Sequence, residues 1–126
     1  MAYKPKFFSL KEFGCPCGKC DREHPKMNGR LLFTMDLIRE YYGPTIITSG
    51  VRCKEHNYAV GGVSYSQHLL GKAADFYLLD ELINLRDVYD EICYGRFGKV
   101  SCGFYQKRHF IHVDVRKEPA FWATYV

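Results

Sequence analysis

The chain has 126 residues, of which 47% are hydrophobic and 25% are charged, with a formal net charge of +4. This composition excludes a disordered chain and predicts one folded domain over residues 1–126. No apolar run approaches the roughly 18 residues of a membrane span. The first residues lack the apolar core of a secretory signal, so we expect synthesis in the cytoplasm. Lys and Arg are dispersed, which argues against a nucleic-acid partner.

The first half of the chain predicts two helices and one strand. Ser9–Glu12 matches a capping box and predicts a short helix. Asn28 is a suitable N-cap for a longer helix that runs to about Tyr42. Residues 45–48 are rich in β-branched side chains and predict a strand. Residues 49–67 then predict a long loop with one helical turn at most.

The second half predicts three strands and one further helix. Residues 73–79 predict a strand, and Asp80 is expected to cap a second long helix that ends at Gly95. Residues 100–105 and 110–115 follow as two short strands that form a hairpin. Helices early and strands mostly late predict an α+β fold with a small antiparallel sheet.

Two segments carry the pattern H-x6-D followed by H-x-D, which consists of His68, Asp75, His112 and Asp114. Because alternate residues of a strand share a face, neighbouring strands can direct Asp75 and His112 to one point. Two imidazoles and one carboxylate form a suitable ligand set for a catalytic zinc ion with a position open to water. Zinc held in this way can activate water against a carbonyl, which indicates hydrolysis of an amide bond.

A second group of metal-ligand residues lies in the predicted loop before the long helix. Cys15, Cys17 and Cys20 lie close together in sequence, and His24 or Cys53 is available as a further ligand. Thiolates at this density predict a second, structural zinc ion. Two alternatives remain open, which are a disulfide such as Cys20–Cys53 after release from the cell and simple buried thiols.

The wider sequence resembles the M15 metallopeptidases, the D-alanyl-D-alanine carboxypeptidase group, and most closely their short single-domain branch in phages and prophages. The resemblance implies a hedgehog/D-Ala-D-Ala-peptidase-like fold, with a central antiparallel sheet and flanking helices. It also implies that His68, Asp75 and His112 are the zinc ligands. The matching blocks are Phe13–Gly18, Thr48–Cys53, His56-Asn57, Val60–Gly62, Ser66–His68, Gly71–Phe76, Gly103–Tyr105 and Phe110–Arg116.

The resemblance also suggests which residues act on the substrate. Many relatives place an acidic residue three positions before the last histidine ligand, where this chain has His109, whereas the close branch has the equivalent of Asp114. We therefore predict Asp114 as the general base, with His109 as the alternative; Asp114 can instead orient an imidazole. Arg52 is expected to hold a substrate carboxylate or to polarise the scissile carbonyl. Ser66 is expected to bind substrate or to cap its loop.

These features together predict a zinc-dependent peptidoglycan peptidase. It would hydrolyse an amide bond next to a D-amino acid in the wall stem peptide, as a carboxypeptidase or an endopeptidase. The alternative is a non-catalytic, zinc-containing module of the same fold that binds the cell wall or another protein. The resemblance further implies an endolysin-like phage enzyme, which degrades the cell wall as a monomer after holin-mediated release.

Overall fold

The computed structural model describes residues 3–125. Met1, Ala2 and Val126 lie outside the described residues. Met1 and Ala2 begin the segment that the sequence analysis interprets as lacking a secretory signal. Within that range, no helix combines the length and the apolar character needed to cross a membrane. Helices and strands occur together in one small mixed α/β unit, which is compatible with the predicted fold class.

A five-stranded sheet organises the described part of the protein. Its strands lie side by side in the order β1-β2-β4-β3-β5, and every neighbouring pair is antiparallel except β3 and β5, which are parallel. The predicted hairpin is confirmed as β3 and β4. The strands are β1 (Thr45–Ser49), β2 (Ala73–Leu78), β3 (Ser101–Tyr105), β4 (Phe110–Asp114) and β5 (Phe121–Thr124).

The last strand was not predicted, and it corrects the expectation of a purely antiparallel sheet. β5 has only four residues and is largely half-buried, so it carries no clear alternation of polar and apolar side chains. It pairs with β3, and the indole of Trp122 lies directly against Gly103, where a Cβ would collide with the ring. This pairing brings Trp122 onto the sheet face that carries the candidate site. The specific hedgehog-like fold stays a prediction.

The longest helix, α1 (Gly29–Tyr42), begins and ends where the sequence predicts. The Asn28 side chain accepts hydrogen bonds from the backbone N–H groups of Arg30 and Leu31, and Gly43 ends the helix at φ +89°. The short predicted helix at the N-terminus forms a 3₁₀ turn, Leu10–Phe13, and the predicted long loop contains helix α2 (Lys54–Ala59).

The third helix, α3 (Leu85–Cys93), is shorter than predicted. Its N-cap is Asn84, whose side chain accepts from the N–H of Arg86, whereas Asp80 accepts from Leu82 in the preceding turn. Leu82 is 95% exposed, so extending the helix to Asp80 would bury nothing there.

The two faces of the sheet have different roles. Helix α1 packs on β2, and α3 packs on β3 and β4. Between them lies the apolar core, to which the sheet contributes Ala74, Phe76, Ile111 and Val113. Because side chains alternate along a strand, the residues between these positions face the other side. That second face carries Asp75 and His112.

Candidate metal centre

Three buried side chains meet on the sheet face opposite the core: His68, Asp75 and His112. Asp75 on β2 lies directly opposite His112 on β4 in the antiparallel register. His68 lies in a 3₁₀ turn, Gln67–Leu70, and Gly71 follows at φ +65° to lead the chain into β2. The sheet register and this tight turn therefore bring together residues from three separate segments, as the sequence pattern predicts.

The polar atoms of these side chains converge closely. Asp75 Oδ1 lies 3.1 Å from His68 Nε2 and 2.8 Å from His112 Nδ1. One ligand atom from each residue lies within 4.8 Å of the other two. A tetrahedral zinc ion with bonds near 2.0–2.2 Å would separate such atoms by about 3.3 Å. The three residues therefore fit a single zinc ion with only small movements.

The outer nitrogens of both imidazoles are already engaged. His68 Nδ1 lies 2.6 Å from the Gly50 carbonyl oxygen, and His112 Nε2 lies 2.7 Å from Asp114 Oδ2. A carbonyl or ionised carboxylate oxygen only accepts, so these nitrogens carry the N–H. The neutral imidazole, which is the form that binds zinc, has one N–H, so in that form the lone pairs of His68 Nε2 and His112 Nδ1 would face Asp75. Three electron pairs that converge in this way suit a divalent cation.

Electrostatics keep both aspartates of this group ionised. Burial opposes ionisation of Asp75, but contacts with His112 and His68, which are hydrogen bonds whenever the facing nitrogens carry a proton, outweigh it and hold the pKa of Asp75 well below the usual range. Burial likewise opposes ionisation of Asp114, and the ion pair with Arg116 reverses the effect on its pKa. The pKa of His112 is raised, since its two carboxylate partners outweigh the opposing effect of burial. Asp75 is therefore available as an anionic ligand.

Asp114, the predicted base, contacts His112 on the side away from Asp75. Its side chain has no exposed surface. Its Oδ1 accepts from the backbone N–H and Nε of Arg116, and its Oδ2 accepts from Arg116 Nη2 at 2.6 Å and from His112 Nε2. Asp114 is not among the residues that line the cleft. This geometry is typical of a carboxylate that orients an imidazole, which is the alternative role that the sequence analysis gives for Asp114.

The three converging side chains line an open cleft of about 700 Å³. Arg52, Arg108 and Arg116 also line it, and Asp75 is the only acidic residue among the described residues of its wall. Tyr65, which is 81% exposed, lies at the same cleft. The cleft therefore combines a ligand set for a cation with positively charged walls.

Arg52 is held against the centre by three side chains. Its Nε donates to Ser49 Oγ at 3.0 Å, its Nη1 to Asn57 Oδ1 at 3.2 Å, and its Nη2 to Asp75 Oδ2 at 3.4 Å. Burial lowers the pKa of Arg52, and the charge of Asp75 opposes that effect. The guanidinium is therefore fixed beside the outer oxygen of Asp75, and it faces the cleft.

His109 and Ser66 also reach the cleft, from two different loops. His109 lies between β3 and β4 with φ +56°, a left-handed conformation that is strained for a residue with a Cβ. This conformation interrupts the strand alternation, and the His109 ring lies 6.1 Å from that of Tyr77. Ser66 caps the turn that carries His68, because its Oγ accepts from the His68 N–H at 3.2 Å.

Sequence reasoning missed three contributors to the site. The Gly50 carbonyl orients His68 but has no sequence signal, since every residue has a carbonyl. Trp122, the only tryptophan of the chain, lies with its ring 5.3 Å from that of His112. Arg108 lies in the hairpin loop beside His109, where its charge alone did not distinguish it from other surface arginines.

The second predicted ligand group is also brought together, with Cys53 as its fourth member. The Sγ atoms of Cys15, Cys17, Cys20 and Cys53 all lie within 4.8 Å of one another. His24, the other ligand considered, instead contacts Asp21, with its Nδ1 3.0 Å from Asp21 Oδ2.

The fold and the site together indicate a class of protein. A small mixed α/β protein with two histidines and one aspartate converging in an open cleft has the layout of a metal-dependent hydrolase.

The family model described as Peptidase M15 matches residues 6–114. The chain therefore belongs to the M15 peptidase family, which confirms the resemblance at the level of the family. It has no significant match among curated proteins or solved structures. The phage branch stays a prediction.

Proposed function

We propose that the protein is a zinc-dependent peptidoglycan peptidase that hydrolyses an amide bond next to a D-amino acid in the wall stem peptide. The convergence of His68 Nε2, Asp75 Oδ1 and His112 Nδ1 in the wall of an open cleft carries this proposal. Membership of the M15 peptidase family supports peptide hydrolysis as the reaction.

The proposed function first requires protein side chains that hold a zinc ion in a fixed orientation. His68, Asp75 and His112 would bind zinc, which when bound polarises a carbonyl and activates water for attack. The Gly50 carbonyl and the Asp114 carboxylate fix the two imidazole rings from behind. Such outer contacts are typical of histidines that bind metals. In this proposal Asp114 positions His112 rather than moving the substrate's proton.

Proton transfer then needs a group that reaches the cleft. Asp114 has all its hydrogen bonds satisfied behind His112, whereas His109 is exposed and lines the cleft. A histidine is suited to take a proton and return it to the leaving amine near neutral pH. We therefore place His109, the alternative base of the sequence analysis, in this role.

The charge of the cleft supports a substrate with carboxylates. Three arginines line the cleft, and the one acidic side chain in its described wall is the proposed ligand Asp75. A stem peptide with carboxylates near the scissile bond complements this charge. Arg52 would hold such a carboxylate or polarise the scissile carbonyl. We further propose a monomer that reaches the cell wall after holin-mediated release, on the basis of the resemblance to the phage branch.

One observation favours the alternative of a non-catalytic binding module. Apart from the proposed ligand Asp75, the described part of the cleft wall offers no carboxylate as a base. A module of this kind would keep zinc and bind stem peptides without cleaving them. Turnover of a defined substrate separates the two functions.

We expect the purified protein to cleave soluble muropeptides, the stem-peptide fragments of peptidoglycan, only in the presence of a divalent metal. Mass spectrometry of the digest identifies the bond: loss of terminal alanine indicates a carboxypeptidase, and an internal cut indicates an endopeptidase. A chelator should abolish cleavage and added zinc should restore it, because the metal supplies several kcal/mol of transition-state stabilisation.

Two outcomes of that digestion contradict the proposal in different ways. Cleavage that persists after complete removal of metal excludes zinc hydrolysis. Zinc-loaded protein that binds muropeptides in a pull-down but leaves their masses unchanged indicates the binding module.

Replacing Arg52 by lysine should lower kcat/KM for muropeptides by about 10- to 100-fold, since a charged hydrogen bond contributes about 1.5–3 kcal/mol. Lysine keeps the charge but loses the planar donor fork that contacts Ser49, Asn57 and Asp75. Zinc content should stay unchanged. The matched control is Arg86→Lys on the exposed surface of α3. Wild-type kinetics for Arg52→Lys would remove Arg52 from the proposed site.

A further inference from the structure

We propose that Cys15, Cys17, Cys20 and Cys53 bind a second zinc ion that has a structural role. This site is separate from the His–Asp–His centre, and its occupancy does not depend on the proposed hydrolysis. All four residues lie within the described chain, where the six cysteines are present as free thiols. No residue of this group lines the cleft.

The spacing of the sulfur atoms supports metal binding over disulfides. Cys15 Sγ lies 3.8 Å from Cys53 Sγ, and Cys17 Sγ lies 3.4 Å from Cys20 Sγ. A disulfide would join two sulfurs at about 2.05 Å. Four thiolates around one zinc ion with bonds of about 2.3 Å lie about 3.8 Å apart. The observed group therefore has the size of a closed, four-coordinate site.

Backbone donors are arranged around the sulfurs in a way that favours thiolates. The N–H of Lys19 donates to Cys17 Sγ at 3.4 Å, and the N–H of Cys53 donates to Cys15 Sγ at 3.5 Å. The N–H of His56 donates to Cys53 Sγ at 3.4 Å, in the first turn of α2. Three of the four sulfurs thus accept a backbone hydrogen bond. A thiolate is the better acceptor and is also the form that binds zinc.

The local chain conformation brings the ligands together from two segments. Three cysteines lie in the loop that follows the first 3₁₀ turn, where Gly18 adopts φ +86° between Cys17 and Cys20. A residue with a Cβ would be strained at that position. Cys53 lies 33 positions beyond Cys20 in sequence and caps helix α2. A shared zinc ion would therefore join the N-terminal loop to the segment before α2.

That connection has a consequence for the cleft. Cys53 follows Arg52 directly, and the N–H of Val51 donates to the Phe13 carbonyl at 2.9 Å. Gly50 packs against the Phe13 backbone so closely that a Cβ would collide with it. Cys53 thus holds one end of a segment that supplies the Gly50 carbonyl to His68 and the Arg52 guanidinium to Asp75, and the Phe13 backbone, two residues before Cys15, holds the other end. Zinc at the cysteines would stabilise that segment.

Metal analysis of the full chain purified with a reductant provides the test. We expect two zinc ions per wild-type chain and one in Cys53→Ser and Cys20→Ser. Cys93→Ser and His24→Ala are matched controls that should keep both ions, since Cys93 lies on α3 and His24 pairs with Asp21. In a His68→Ala/His112→Ala double variant the cysteine-bound ion should remain. Failure of the catalytic centre and failure of the cysteine site are therefore distinguished.

A second measurement covers variants that fail to fold. Wild-type protein loaded with Co²⁺ should show an intense thiolate-to-metal absorption band, and a thiol reagent should label four additional cysteines only after a chelator is added. One metal ion per wild-type chain without the absorption band would overturn the proposal. Disulfides Cys15–Cys53 or Cys17–Cys20 in the reduced preparation, detected by intact mass, would overturn it as well.

Discussion

Replacing Asp75 by asparagine should lower muropeptide hydrolysis by at least about a thousandfold, since the metal contributes several kcal/mol and about 1.4 kcal/mol corresponds to a factor of ten. Asp75 Oδ1 is the atom that both histidines face, and asparagine keeps the shape of the side chain while removing its charge. The number of zinc ions per chain should fall by one. Activity and metal content, measured on the same preparations, check both parts.

Asp87→Asn is a suitable control, because Asp87 is an exposed aspartate in the first turn of α3. Circular dichroism should show that Asp75→Asn remains folded, since the core lies on the other face of the sheet. If this folded variant retains its full zinc content and more than a tenth of the wild-type activity, the His–Asp–His centre is not the site of hydrolysis.

Replacing Asp114 by alanine should destabilise the protein by about 3 kcal/mol, the lower end of the range for breaking a buried ion pair. The lower end applies because the Arg116 side chain is 33% exposed and retains some contact with water. The change leaves His112 Nε2–H and the Arg116 guanidinium without their shared acceptor. Zinc affinity should fall by about 10- to 100-fold, as expected for an orienting carboxylate. Chemical denaturation and a zinc titration of activity measure these effects.

His109→Ala is the matched comparison for that variant. We expect it to keep zinc affinity and stability, because His109 is exposed and, among the described residues, makes no hydrogen bond to His68 or His112. Its kcat should fall by about 10²- to 10⁴-fold, the range for loss of a general acid–base group. Asp114→Ala at saturating zinc should instead recover most of its kcat. If Asp114→Ala binds zinc normally but loses its kcat, while His109→Ala is fully active, Asp114 is the base as the sequence analysis predicted.

Several elements were predictable because their signals are local. Asn28 and Gly43 mark the ends of α1 through the hydrogen bonds and backbone angles of their own neighbours. The β-branched run after Pro44 forms β1, and the two late strands form the predicted hairpin. The prediction of Asp80 as the N-cap of α3 was wrong, because the cap is Asn84. The helix begins where its first leucine is buried in the core, which is Leu85, whereas Leu82 is exposed.

The proposed metal ligands were predictable for a related reason. Histidine and aspartate are residue types that bind zinc. Asp75 and His112 each lie between two apolar residues of their strand, which predicts that both side chains lie on the face away from the core. Alternation also places Asp114 on the face of His112, but it does not specify which side of the imidazole the carboxylate contacts. That depends on Arg116, which holds both oxygens of Asp114 behind the ring.

The amino-acid sequence alone predicts the family, most helix and strand positions, the three converging residues of the candidate metal centre and the group of cysteines. Only the tertiary structure decides the parallel pairing of β5, the place of Trp122 beside His112, the choice of Cys53 over His24 and the side from which Asp114 contacts its histidine. The physical reason is the range of the interactions involved. Residue type and periodicity act over a few neighbouring positions, whereas the direction of a polar atom is set by packing between segments that are far apart in the chain.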